Sequence, residues 1–188
     1  MAEPPVASSP PVESFRSTGG HLLGWVGIVG FALLAAESAS RSESLPGLAT
    51  SAGLVWAATV MWVGLVRPRV LAHGDHLLLR SAFRDTVVPW HLIDGIAVRL
   101  VLRLHVGDEV LQTGAVSRRA RSAPTLAGAE VDYPEYVETR LRELASQRAE
   151  ASRSWQAVQR SWAQLPTAIF AVTFSVAAGL LGAAALLS

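Results

Sequence analysis

The side chains best suited to metal chemistry lie in the segment His73–His76, which spells HGDH. Two imidazoles and a carboxylate are ligands that suit zinc or nickel. The neighbouring sequence supplies no obvious fourth ligand, and the segment is short enough to be a strand turn. We therefore predict no metal site and leave open whether this turn binds anything. His91 and His105 stand apart from it, and we expect them to be surface or hydrogen-bonded side chains.

The sequence carries no recognisable pattern for an enzyme. The absence of cysteine excludes disulfides, thiolate metal sites and cysteine nucleophiles. The patterns G-x-S-x-G and H-E-x-x-H and a Walker-type glycine loop are also absent from the sequence. The apolar stretches Ser17–Ala36, Leu45–Val66 and Leu165–Ser188 contain no Asp or Glu, whereas proton- or ion-coupled transport usually needs ionisable groups inside the membrane. We expect a protein that is not an enzyme and has no cofactor.

Three long apolar segments predict a membrane protein. Of the 188 residues, 51% are hydrophobic and 16% are charged, against about a quarter charged in a typical soluble domain. A helix needs about 20 apolar residues to cross a bilayer. The first segment does not combine a basic start with a convincing cleavage site, so we expect a retained helix and not a signal peptide. The predicted spans are a hairpin over 19–66, with helices at about 19–37 and 45–66, and a third helix over 165–188.

The positions of the arginines predict how the chain crosses the membrane. All 16 basic residues are arginine, and 14 of them lie between Arg67 and Arg160. Because basic segments stay on the cytoplasmic side, residues 67–164 and the N-terminus should be cytoplasmic and the C-terminus outside. The expected location is the plasma membrane, with multiple spans. The predicted anchors at the membrane interface are Trp62, Arg67, Arg69 and Trp162.

Two segments show no periodicity. Residues 1–18 contain four prolines among Ser, Ala and Val, which is typical of a disordered tail. Residues 117–130 form a basic loop whose Arg118, Arg119 and Arg121 could contact anionic lipid, each contributing about 1 kcal/mol near the membrane surface. A nucleic-acid partner would require a basic face with exposed aromatic residues or a recognition helix, so we expect none.

Residues 67–117 predict a small antiparallel β meander. Apolar residues alternate with other side chains from Ile96 to Val106, which is the period of a half-buried strand. Gly107 and Asp108 then predict a hairpin turn. The expected strands lie near 70–73, 76–83, 85–89, 95–106 and 109–116, and the expected core residues are Trp90, Ile93, Ile96, Val98, Leu100 and Leu102.

A long amphipathic helix is predicted over 133–164. Pro134 suits its first turn, and apolar residues recur at alternating spacings of four and three. The seam is short and includes an arginine, which favours packing on the chain's own sheet over a coiled-coil dimer. Trp155 and Trp162 in its second half suit a membrane interface. The seam residues are Val137, Leu141, Leu144, Arg148, Ala151, Trp155, Val158 and Trp162.

The segment after the predicted hairpin resembles a known family. It contains RPRV at 67–70, a leucine-rich strand ending at Arg80, a strand ending in Val88-Pro89-Trp90, and Ile93 before the long alternating segment. This order resembles the bacterial pleckstrin-homology-like domains of actinobacterial membrane proteins, the family named after low molecular weight protein antigen 6. The resemblance covers roughly 45–117, with the helix from 134 as the expected cap.

The resemblance implies a curved sheet or partial barrel, closed by one helix and held at the inner face of the plasma membrane. It implies no catalytic residues. The turn at His73–His76 and the third membrane helix depart from the family pattern, and the lysine-rich phosphoinositide motif of eukaryotic relatives is absent. No lipid ligand is therefore carried over to this chain.

Small residues at four-residue spacing mark possible contact faces on the predicted spans, because they allow helices to approach closely. They could serve packing within the chain, self-association into a homo-oligomer, or binding of another membrane protein. The expected function is a scaffold or regulatory adaptor for membrane or cytoplasmic proteins. The alternative is an accessory subunit of a membrane enzyme or transporter complex. The small residues are Gly20 and Gly24; Ala49, Gly53 and Ala57; and Ala171, Ser175, Gly179 and Ala183.

Overall fold

The computed structural model describes residues 11–16, 18–41, 44–116 and 133–187, and the chain forms two compact units. The helical unit consists of Thr18–Arg67 and Trp162–Ser188. The second unit, called the β domain below, consists of Met1–Ser17 and Pro68–Ser161. The chain is an α+β protein with antiparallel sheet and three helices long and apolar enough to cross a membrane.

Four α-helices and eight strands follow one another along the described chain. A π-helical turn, Trp62–Val66, continues the second helix, and short 3₁₀ turns occur at Trp90–Leu92 and Glu150–Ser152. The elements are β1 (Glu13–Phe15), α1 (Thr18–Arg41), α2 (Leu45–Met61), β2 (Arg69–Ala72), β3 (His76–Arg80), β4 (Arg84–Pro89), β5 (Gly95–Val98), β6 (Leu102–Val106), β7 (Glu109–Thr113), α3 (Tyr133–Arg148), β8 (Gln159–Trp162) and α4 (Gln164–Leu186).

In the helical unit, α2 packs against both α1 and α4. A proline in the first turn suits the start of α2, because the first amides of a helix have no intrahelical acceptor. Gly24 of α1 lies so close to the π-helical turn that an added Cβ would stand 2.7 Å from Cγ2 of Val66. Small residues on α1 therefore serve packing within this chain, as the close-packing rule for membrane helices predicts.

The β domain contains two antiparallel arrays. One sheet has the order β1-β2-β3-β4-β8, and the other has the order β5-β6-β7. In the first sheet, Phe15 pairs with Val70 in register. The prediction that residues 1–18 form a disordered tail was wrong for Glu13–Phe15, because this segment adds a strand to the sheet and buries Phe15 in the core. Residues 1–10 lie outside the described part of the chain.

The main core lies between the two sheets and α3. Alternate residues of β2 and β3, such as Val70 and Leu77, face this core and are fully buried. The other face of the first sheet buries a smaller cluster of Leu71, Leu78 and Val87, against which Trp155 packs. Helix α3 contributes the first three residues of the predicted seam, Val137, Leu141 and Leu144, each at most 1% exposed.

The segment predicted as one strand over 95–106 is a hairpin of β5 and β6. Ile96 pairs with Leu104 and Val98 with Leu102, around a loop of three residues. Because the loop has an odd number of residues, every second residue still faces the core on both sides of the turn. The apolar pattern is therefore the same as in one unbroken strand. Leu100 is at the tip and is 79% exposed, so the prediction that it is a core residue was wrong.

The predicted helix over 133–164 ends at Arg148. It is followed by the 3₁₀ turn and then by β8, which lies next to β4 in the sheet. The apolar residues after Arg148 keep the heptad spacing in the sequence, but they do not lie on α3. Trp155 is part-buried against the outer face of the sheet, and its expected place at a membrane interface stays a prediction. Tertiary contacts with the sheet override the local periodicity here.

Candidate functional site

The HGDH segment forms the turn between β2 and β3. The backbone N–H of His73 donates to the carbonyl of His76 at 2.9 Å, which closes the turn. The two imidazole rings then stack with their centroids 4.5 Å apart and their planes 12° from parallel. Both residues are buried, at 2% and 4% exposure. The tight turn thus places two polar rings inside the domain and not at its surface.

Asp75 joins this histidine pair to a distant tryptophan. Its Oδ1 lies 2.7 Å from Nδ1 of His76, and its Oδ2 accepts a hydrogen bond from Nε1 of Trp155 at 2.9 Å. Burial by itself raises the pKa of the Asp75 carboxyl, but the hydrogen bonds from Trp155 and His76 outweigh burial and lower it. Asp75 is therefore held as a carboxylate that binds two ring N–H groups.

The carbonyl of His73 is the second hydrogen-bonding centre of the cluster. It accepts from the indole Nε1 of Trp90 at 3.1 Å and from Nη1 of Arg148 at 3.3 Å. Trp90 is 1% exposed and lies in the main core. Hydrogen bonds to the His73–His76 turn therefore join three other parts of the chain to it. These are the 3₁₀ turn after β4, the end of α3 and, through Asp75, the segment that contains Trp155.

This cluster, named here the histidine turn (His73, Asp75, His76 and Trp155), is not arranged to bind a metal. Lone pairs of imidazole nitrogens lie in the ring plane, so two nearly parallel stacked rings cannot both direct them at one ion about 2.1 Å away. Among the described residues, no group of three His, Cys, Asp or Glu side chains could hold a metal. Among the described residues, Nε2 of His76 has no hydrogen-bond partner. Because this atom is buried, it cannot reach a substrate.

A second polar site, not found by the sequence analysis, brings His91 and Ser152 together. The backbone N–H of His91 donates to Oγ of Ser152 at 2.8 Å, and the ring Nδ1 lies 2.9 Å from the same oxygen. The hydroxyl donates to the carbonyl of Ala149 at 2.7 Å. Ser152 is completely buried, so this hydroxyl is a structural hub and not an accessible nucleophile. The two residues are 61 positions apart, and no motif links them.

Beside this hub lies an open cleft of about 350 Å³ between α3 and the start of β5. Its polar wall includes His91, Asp94 and Arg142. Arg142 is already paired with Glu138 at 2.6 Å and donates to the carbonyl of Ile96 at 2.9 Å. Asp94 accepts a hydrogen bond from the backbone N–H of Gly107 at 2.6 Å. These polar groups serve the fold, and nothing in their geometry identifies a ligand.

The other residues singled out in the sequence are dispersed. Ile96, Val98 and Leu102 are buried in the main core, at 4%, 2% and 0% exposure, and Ile93 packs against it. Leu100 lies outside it at the hairpin tip. The core positions therefore stabilise the β domain and do not form a binding site.

The predicted interface anchors differ in their surroundings. Trp62 is half-buried, Arg67 is 8% exposed, Arg69 is exposed, and Trp162 is 61% exposed. Trp162 and Arg69 therefore present their side chains at the surface of the described chain, as an interface anchor requires. The basic loop with Arg118, Arg119 and Arg121 lies outside the described residues.

Comparison with known proteins gives no family for this chain. No family model, no curated protein and no solved structure matches it. The resemblance to pleckstrin-homology-like domains therefore rests on the residues quoted from the sequence. The function has to be argued from the geometry described above.

Proposed function

We propose that this chain is a non-enzymatic, multi-pass plasma-membrane protein that presents its β domain to the cytoplasm as a scaffold or regulatory adaptor. The observation that carries the proposal is the pairing of β1 with β2. The first strand precedes α1 and the second follows α2, so two apolar helices are inserted between neighbouring strands of one sheet. The sheet of the β domain therefore forms only when the chain on both sides of the two apolar helices comes together.

The same pairing supports the proposed topology. The chain leaves β1 at Phe15, enters α1 at Thr18, and returns to the sheet at Arg69 after α2. Because β1 and β2 are hydrogen-bonded neighbours, the start of α1 and the end of α2 must be on one side of a bilayer. Two crossings satisfy this requirement. A third crossing by α4 then carries the C-terminus to the opposite side.

The arginine distribution supports a cytoplasmic location for the β domain. Arg67 and Arg69 follow the second span directly, at the position where the positive-inside rule is most reliable. At the other end of the hairpin, the last residue of α1 is an arginine, Arg41, which is paired with Glu37 in the same helix. The asymmetry across the helical hairpin therefore favours the β domain as the cytoplasmic side.

The order of elements supports a pleckstrin-homology-like domain. Four antiparallel strands from β1 to β4 are followed by the three strands β5 to β7 and then by α3, which packs on the core. The resemblance implies a partial barrel closed by one helix, which agrees with this order. The first strand of the series is separated from the rest by the helical hairpin. The resemblance covers roughly residues 45–117, so it does not include β1.

An adaptor role is supported by the state of the polar sites. The histidine turn is closed, and the hydroxyl of Ser152 is buried. The domain is linked to all three apolar helices by connections of one or two residues, which would keep it at the membrane surface. We expect its partner to be another membrane or cytoplasmic protein and not a nucleic acid.

One observation favours the second candidate, an accessory subunit that binds through its helices. In α4, the small residues Ala171, Ser175 and Gly179 are exposed, and a Cβ added at Gly179 would meet no described atom within 4 Å. By contrast, Gly24 and Ala49 are already buried within the helical unit. The α4 face remains available for a helix of another protein or of a second copy.

Reporter fusions test the topology. An alkaline phosphatase fused after Ser188 should be active, because the enzyme folds only outside the cytoplasm, and one inserted at Gly128 should be inactive. The reverse pattern would contradict the proposed orientation. Equal activity at both positions would contradict the third crossing.

Affinity purification of the full chain in nanodiscs separates the two functions. A Gly179→Leu variant should keep the partners of an adaptor and lose those of a helix-bound subunit. Leu181→Phe, which changes a different exposed face of α4, is the matched control. Loss of all partners with Gly179→Leu but not with Leu181→Phe would favour the subunit and contradict the adaptor.

A further inference from the structure

The tip of the β5–β6 hairpin exposes an aliphatic side chain in a well-formed turn. Leu100 is 79% exposed, the highest value for a large apolar residue of the β domain within the described chain. The residues two positions before and after it, Val98 and Leu102, are 2% and 0% exposed. The N–H of Arg99 donates to the carbonyl of Val101 at 3.2 Å. Leu100 is therefore held out from the core by its position at the centre of the loop.

Two arginines flank Leu100, and Glu138 of α3, the carboxylate that contacts this hairpin at Val98, is paired with Arg142. Arg99 and Arg103 are exposed on either side of it in the sequence. The side chains of β6 and β7 on the solvent-facing side near the tip include no carboxylate: they are Arg103, His105, Val110 and Gln112. Arginines beside an exposed aliphatic residue suit the boundary between lipid headgroups and acyl chains. The phosphate backbone of a nucleic acid would bind the arginines but leave the leucine without an apolar contact.

Contacts within the β domain show the direction in which the tip points. The N–H of Val98 donates to Oε2 of Glu138 at 2.8 Å, and the carbonyl of Ile96 accepts from Arg142 at 2.9 Å. Strand β5 therefore runs antiparallel to α3, towards the N-terminal end of that helix. Leu100 lies two residues beyond Val98 in this direction.

The same end of α3 holds the residue that precedes the first span. The hydroxyl of Tyr133, the first residue of α3, donates to the carbonyl of Arg16 at 3.2 Å. Helix α1 begins two residues later, at Thr18. Two residues extend at most about 7 Å, so the start of the span is close to Arg16. Strands β1 and β5 thus both run towards the end of the β domain where the chain enters its first apolar helix.

We propose that the hairpin tip docks on the bilayer that the chain spans, with Leu100 at the acyl boundary and Arg99 and Arg103 on anionic lipid headgroups. The proposal rests on the proposed function, because it requires the apolar helices to be in a membrane. It deepens that function by giving the β domain a second, non-covalent attachment to the bilayer. Such an attachment would restrict the orientation of the domain towards its partners.

The absence of cysteine in the sequence allows a direct test on the full chain. A nitroxide label is attached to Leu100→Cys in nanodiscs that contain phosphatidylglycerol, and its collisions with oxygen and with a water-soluble nickel complex are measured. The label should lose most of its accessibility to nickel and keep its accessibility to oxygen. Asp108→Cys, in the exposed turn between β6 and β7, is the control and should remain accessible to nickel.

The arginines are tested in the same measurement. In an Arg99→Gln, Arg103→Gln background, the ratio of docked to undocked tip should fall about fivefold for each charge removed. Arg153→Gln, which removes an exposed arginine of the same domain, should have no effect. Nanodiscs of phosphatidylcholine alone should reproduce the loss. A label at 100 that is as accessible to nickel as the label at 108, in anionic nanodiscs, would overturn the proposal.

A label in α4 separates this proposal from the proposed function. Val172→Cys is exposed on the helix surface and should be immersed in lipid if α4 crosses the bilayer. Immersion at 172 with full exposure to water at 100 would reject tip docking and leave the membrane protein intact. A label at 172 that is accessible to nickel would contradict the proposed function itself, and with it the docking.

Discussion

The indole Nε1 of Trp155 donates a 2.9 Å hydrogen bond to Oδ2 of Asp75, although the two residues are 80 positions apart. The other oxygen of the same carboxylate lies 2.7 Å from the ring of His76. Through this contact the segment after α3 covers the outer face of the five-stranded sheet. One carboxylate therefore gives the buried imidazole of His76 a polar partner and ties the turn to Trp155.

The stability of the β domain should decrease at acidic pH in a manner that depends on Asp75. Its pKa in the folded protein lies below its ordinary value, so ionisation favours the folded state. This contribution is complete above the unfolded pKa of about 3.9 and is lost as the pH falls through the lower folded pKa. Because the side chain is 37% exposed, solvent screening keeps the effect modest.

The measurement is the unfolding free energy of the full chain between pH 6 and pH 2. Asp75→Asn should destabilise the protein near neutral pH, and the difference from the parent should shrink as the pH falls. Asp108→Asn, in an exposed turn, is the control and should follow the parent. A constant difference between Asp75→Asn and the parent would show that the charge of Asp75 does not contribute.

Substitutions at Leu100 and Leu102 should differ sharply in stability. Leu102 is fully buried, and its replacement by Ala should cost roughly 2–5 kcal/mol through lost burial and a cavity. Leu100 is 79% exposed at the hairpin tip, and Leu100→Ala should change stability by less than about 0.5 kcal/mol. Denaturant unfolding of both variants measures this difference. An equal loss of unfolding free energy in the two variants would favour the single long strand predicted from the periodicity.

Two glycines of α1 should respond to alanine in opposite directions. At Gly24 a new Cβ would lie 2.7 Å from Val66 and 3.0 Å from Leu65, so overpacking should destabilise the helix pair by roughly 1–3 kcal/mol. At Gly30 the Cβ would meet no described atom within 4 Å, and the higher helix propensity of alanine should stabilise by up to about 1 kcal/mol. Thermal unfolding in nanodiscs distinguishes them. A neutral Gly24→Ala would mean that α1 does not approach the π-helical turn so closely.

Strand β1 should be required for the stability of the β domain. Phe15 is 4% exposed in the main core, and Phe15→Ala should cost roughly 3–5 kcal/mol. Ser14 is exposed on the same strand, and Ser14→Ala should stay within about 0.5 kcal/mol. Hydrogen exchange of β2 should increase in the first variant only. Unchanged exchange with Phe15→Ala would mean that β1 does not hold the sheet.

Much of the architecture could be predicted from local sequence because its physical cause is local. Three segments free of Asp, Glu, Lys and Arg have the length of spanning helices, and the described part of the chain contains three helices long and apolar enough to cross a membrane. Trp90, placed in the core by the valines and proline before it, is 1% exposed. The turn at Gly107 has a positive φ of 57°, which the Gly-Asp pair predicts. Apolar length, turn chemistry and alternation depend on residues near one another in the chain.

The remaining features depend on contacts between distant segments. Residues 13–15 are too few to form a strand alone, and they become one because β2, more than 50 residues later, offers an open edge and a pocket for Phe15. The alternation across Leu100 is the same for a long strand and for a hairpin with a three-residue loop, so only the pairing of Val98 with Leu102 distinguishes them.

The two polar centres were likewise decided by tertiary structure. The sequence by itself showed two imidazoles and a carboxylate in the His73–His76 segment with no obvious fourth metal ligand nearby. Only the fold decided that its rings are buried and stacked, and that Trp155 donates a hydrogen bond to Asp75 beside them. The physical reason is that a part-buried carboxylate is stabilised by hydrogen-bond donors, and any part of the chain that packs nearby can supply them. The spacing of Asp75 and Trp155 in the sequence therefore does not predict this hydrogen bond.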